Sequence, residues 1–149
     1  MSNPYLPRVQ QKLAHCRMTL ELCQNATESQ SLQAMVEAAL VHLAVGLRLY
    51  IRELAHYRGV PLPERLYRLE DLCAATDGGI CVDELAEKEF VAAIESAEKN
   101  VLSPAVGSAV LIGSAGNIQA SDLDRKLLQS WLSSMQELVE RQRQSFLEY

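Results

Sequence analysis

At 149 residues, 48% of them hydrophobic, the chain has the length of one domain and enough apolar material for a single core, so it is read as one domain over residues 1–149. That hydrophobic content, with only five prolines and seven glycines, excludes a disordered or collagen-like chain, and the low aromatic content of 5%, with many Leu and Ala, favours packed helices over a sheet. A net charge of −5 argues against wholesale binding to nucleic acid or an anionic membrane, which needs a positive field strong enough to displace counterions.

The opening MSNPYLPRVQQK has no apolar stretch after its basic residue and no cleavage pattern, so no secretory signal is expected. Pro4 and Pro7 suit a helix start, and Leu13, Cys16, Leu20 and Cys23 recur at helical spacing, predicting a first helix over 8–25. After a polar break at 27–31, Ser29 or Ser31 caps a second helix running to Arg58, with Gly59 at the C′ position and Pro61 forbidding continuation. Its most apolar run, residues 34–47, spans 14 positions, short of the roughly 20 needed to cross a bilayer. A short third helix is expected over 63–75, ending at Asp77-Gly78-Gly79. A fourth follows over 82–101, with Ala86, Phe90, Ala93, Ile94, Ala97 and Val101 on one stripe. Ser121 with Asp124 resembles a capping box for the last helix, whose apolar face holds Leu127, Leu128, Trp131, Met135 and Leu138. Four long helices and one short one, without a period-two segment, imply an all-α, antiparallel up-and-down bundle, interrupted by an irregular apolar segment at about 103–120.

The thiols Cys16, Cys23, Cys73 and Cys81 lack the Cys-x-x-Cys spacing of a zinc or redox site. Free cysteines in a reducing cytoplasm are the expectation. Glu53 and His56 have the Glu-x-x-His spacing of di-iron bundles, but no second pair exists and both sit off the main stripe, so they read as a solvated helix end with no metal. The interval from Arg52 to His56 does not match the Arg and His spacing of HEPN-type ribonucleases, and Gly113-Ser114-Ala115-Gly116 lacks the Lys-Ser/Thr of a phosphate loop. No catalytic residue and no cofactor is assigned.

Charge is distributed unevenly. Residues 48–68 carry five arginines against Glu53 and Glu64, whereas residues 70–99 carry nine acids against Lys88 and Lys99. Arg48, Arg52, His56, Arg58, Arg65 and Arg68, interleaved with tyrosines, are therefore candidates for a phosphate-bearing or acidic partner. The simpler account is that basic and acidic elements face one another within the fold, with Tyr50 and Tyr57 packed in the core. On the second helix Val36, Leu40, Leu43, Leu47 and Leu54 form the core stripe, while Ala38, Val41, Val45 and Leu49 form a second apolar face. That face needs a cover, either a second subunit or the segment at 103–120. A homodimer is the favoured reading because isologous helix packing is common.

The stretch Ala39-Leu40-Val41-His42-Leu43, continuing through Tyr50-Ile51-Arg52-Glu53-Leu54-Ala55 and Tyr57-Arg58, resembles an uncharacterised family of small helical bacterial proteins, chiefly gammaproteobacterial. Gln11-Lys12-Leu13 and Ser130-Trp131-Leu132 are similar to the same pattern, from which the segment at 103–120 departs. The resemblance implies an all-helical fold and a cytoplasmic bacterial origin, and no activity. The functional expectation is a non-enzymatic, self-associating binding protein. A phosphate- or nucleic-acid-binding module is the alternative, and a small nuclease or hydrolase is third.

Overall fold

The computed structural model describes residues 3–103 and 124–147. Among these the protein is all-helical, with six α-helices: α1 (Leu6–Leu22), α2 (Ser29–Tyr57), α3 (Leu69–Ala75), α4 (Ile80–Glu87), α5 (Glu89–Leu102) and α6 (Arg125–Leu147). The segment expected to be irregular at 103–120 lies, beyond Ser103, outside the described residues, as does Ser121.

α2 is the centre of the molecule, packed by α1, α3, α5 and α6. Its buried residues run from Glu53 through Gly46, Tyr50, Leu43 and Leu47 to Ala44 and Ala55, an arc of roughly 200° at about 100° per residue. Gly46 lets α1 approach closely: a Cβ there would stand 3.1 Å from Leu13 Cδ2. By length and composition α2 could cross a membrane, with a mean hydropathy of 1.6 over its most apolar window, a span the 14-residue run understated. Half of that window is buried against the other helices. The helix ends as Gly59 predicts. With φ at 73°, Gly59 donates its N–H to the His56 carbonyl while Val60 N–H reaches Ala55, closing a Schellman motif.

The single helix expected over 82–101 is two. Lys88 is extended (φ −79°, ψ 121°), closing α4 through its N–H to Leu85 O and opening α5 by accepting from Val91 N–H. No glycine or proline marks the break. Its cause is register, because one continuous helix would put Val82 and Val91 on opposite sides, whereas both are buried here. The expected third helix is likewise divided into a 3-10 turn at Pro63–Arg65 and α3. α6 begins after Asp124, whose carboxylate accepts the Leu127 N–H at 2.7 Å, so Asp124 is itself the cap. The α6 face toward the core holds Leu128, Leu132, Met135, Leu138, Val139 and Gln142, while Leu127, expected in it, is 37% exposed.

Candidate functional site

Two arginines of the basic stretch are held inside the fold. Arg48 pairs with Glu98 at 2.8 Å, and Arg52 donates from Nε to the Leu66 carbonyl at 2.9 Å. Both guanidinium groups stack on Tyr67, 5.3 and 5.2 Å from its ring centre. The acidic stretch meets the basic one here a second time, as Asp71 accepts the Tyr67 and Arg68 N–H groups and Glu95 accepts that of Leu69. Arg48 and Arg52 are thus half-buried. Arg58, Arg65 and Arg68 are exposed, and His56 is half-buried beside the rings of Tyr5 and Tyr57. The six candidates therefore do not converge on one point.

Glu53 is not at a solvated helix end. It is fully buried and receives two hydrogen bonds from Arg143, Nε to Oε2 at 2.9 Å and Nη2 to Oε1 at 2.7 Å, with a third from Asn3 Nδ2 at 3.1 Å. Both oxygens are occupied, and among the described residues no group of three His, Cys, Asp or Glu side chains could hold a metal. Tyr57, expected in the core, is 46% exposed and stacks on Phe146 with ring centres 4.4 Å apart. Tyr50 is buried as expected, and its hydroxyl donates to Gln142, whose amide in turn donates to the Cys81 carbonyl and to Glu84. Burial pushes the Tyr50 phenol up, with the Glu53 carboxylate adding to it.

The second apolar face of α2 is exposed only in part. Val41 is 44% exposed and Ala38 is exposed, whereas Val45 is half-buried and Leu49 packs partly against the core. The sequence reading missed its continuation onto α1. The rings of His15 and His42 meet edge to face, 5.2 Å between centres, where the outer edges of the two helices adjoin. Met18 and Leu22 share the His15 side of α1 at i+3 and i+7, while Ala38 and Val45 flank His42 at i−4 and i+3. Two apolar strips therefore border the histidine pair, and Met18 and Leu22 are 50% and 56% exposed. His42 is held below the ordinary imidazole range, first by burial and then by Lys12 and His15. The signal for Met18 and Leu22 was available, since both lie off the stripe of Leu13, Cys16 and Leu20.

No family model matches the chain, and no curated protein or solved structure matches it.

Proposed function

We propose that this protein is a non-enzymatic interaction protein that self-associates as an isologous homodimer through the outer face of α1 and α2. The observation carrying this reading is the exposure of Met18, Leu22 and Val41 on neighbouring helices, with Ala38 beside them. Large apolar side chains gathered on one side of a fold mark a surface that another protein covers. A two-fold axis near His15 and His42 would set each strip against its counterpart. The alternative reading, phosphate or nucleic-acid binding by residues 48–68, has less support, because Arg48 and Arg52 are already spent on Glu98, Leu66 and Tyr67.

The same proposal takes α1, α2, α5 and α6 as an antiparallel up-and-down bundle. Residue numbers run in opposite senses where α1 meets α2, at Leu13 with Gly46 and His15 with His42, and together where α2 meets α6, at Tyr50 with Gln142 and Tyr57 with Phe146. Alternating directions give this pattern when α2 and α6 are diagonal partners. We place the protein in a bacterial cytoplasm, in keeping with its four free thiols and with the small helical proteins that residues 39–58 resemble.

Light scattering over a range of concentrations tests the assembly. The wild type is expected to be a dimer, and Val41→Asp a folded monomer with unchanged helical circular dichroism. A wild type that stays monomeric at high concentration overturns the reading.

A further inference from the structure

A groove of about 470 Å³ opens at the end of the molecule where the C-terminal parts of α2 and α6 meet the start of α4. That volume falls within the range of roughly 300–1,000 Å³ that small-molecule sites occupy. Its walls are apolar, from Leu54, Tyr57, Val82 and Phe146, and at its edge Ile80 is 90% exposed. An aliphatic side chain so completely bared beside an apolar concavity is costly to hydrate unless something covers it.

The electrostatics of the groove run against those of the chain. In a protein with 19 acidic residues and 14 basic ones, no carboxylate lines it among the described residues, and the one charged group among those lining residues is the Arg58 guanidinium. Arg58 is exposed and forms no ion pair among the described residues. It lies beside the turn before α4. Gly79 has φ at 128°, where side chains are strained, and a Cβ there would fall 1.8 Å from Arg58 Nη1, so the guanidinium lies directly against glycine backbone. One cation beside an apolar slot is complementary to a molecule with one anionic head and an apolar body.

We propose that this groove binds a small anionic amphiphile, its carboxylate or phosphate head paired with Arg58 and its hydrocarbon body laid between Ile80 and the Tyr57 and Phe146 rings. The volume suits a single small molecule, and the site lies away from the α1 and α2 surface.

Octanoate, octyl phosphate and octylamine are the probes, titrated into the full chain below their aggregation concentrations while the Ile80 methyl resonance is followed by NMR. Octanoate or octyl phosphate is expected to shift that resonance saturably, and the tighter of the two identifies the head. Arg58→Gln should weaken binding about tenfold, the loss of one charge-assisted contact, with circular dichroism unchanged. Octylamine should leave the resonance in place. The proposal is overturned if neither anion gives a saturable shift, if Arg58→Gln binds as tightly as wild type, or if octylamine binds equally well.

Discussion

Arg143 holds Glu53 through two parallel hydrogen bonds, of 2.9 and 2.7 Å, around a carboxylate with no exposure to solvent. Fork-to-fork geometry of this kind satisfies both oxygens at once, and Asn3 adds a third donor. Removing one partner strands the other. Arg143→Met is expected to cost about 3–5 kcal/mol, because a buried charge is left uncompensated. The double variant Glu53→Met with Arg143→Met should lose much less than the sum of the single losses. Urea unfolding of all four proteins checks this, and additive losses would show that the two groups do not act as a pair.

Helix α1 lies on α2 at Gly46, where Leu13 leaves 3.1 Å for a Cβ. Gly46→Val places two further methyl groups in that contact, with an expected cost of about 1–3 kcal/mol from overpacking. Gly46→Ala should be milder, since the better helix propensity of alanine returns up to ~1 kcal/mol. Unfolding midpoints give the order wild type, Ala, Val. A Val variant as stable as wild type would contradict the close approach.

His42 links stability to acid. Its folded-state value lies below the ordinary 6.5, owing to burial, then Lys12 and then His15, so the fold favours the neutral ring. This contribution is complete above about pH 6.5 and disappears as pH falls through the lower folded value. The urea midpoint should therefore drop between pH 7 and pH 5, and His42→Gln should flatten that part of the profile. An unchanged slope in the variant would remove His42 as its source.

The thiols should react in order of access. Cys73 is exposed, Cys81 is half-buried and Cys16 and Cys23 are buried. Burial, with Cys23 adding to it, pushes the Cys16 thiol up to about 12. Alkylation of the native protein, followed by mass spectrometry, is expected to modify Cys73 first and Cys81 next, with Cys16 labelled only on unfolding. For Cys16 the sign is opposite to that of His42: its contribution is present below about pH 9 and is lost as pH rises toward 12. Cys16→Ala should weaken the alkaline decline in stability.

The long helices were legible because their apolar residues recur at three and four, and the end of α2 was legible because Gly59 and Pro61 leave the chain no helical continuation. The break at Lys88 was not. Glu87, Lys88 and Glu89 are ordinary helix residues, and only the opposed angular positions of Val82 and Val91 betray it. Glu53 was misplaced for a different reason. A helix flanked on one side buries a narrow stripe, but α2 is flanked by four others, and a single chain's periodicity does not say which helix will be central. The arginines were found as a cluster in sequence, yet Tyr67 and Glu98, which engage two of them, lie beyond the helix that carries those two.

The Glu53 partnership also orders events in time. During synthesis the earlier parts of a chain become available to fold before the later ones. Residue 53 is made 90 positions ahead of the arginine that neutralises it. Closing the core around Glu53 before Arg143 is in place would bury an unpaired carboxylate, which is costly, and the docking of α6 removes that cost. The ion pair therefore ties closure of the core around residue 53 to the docking of α6.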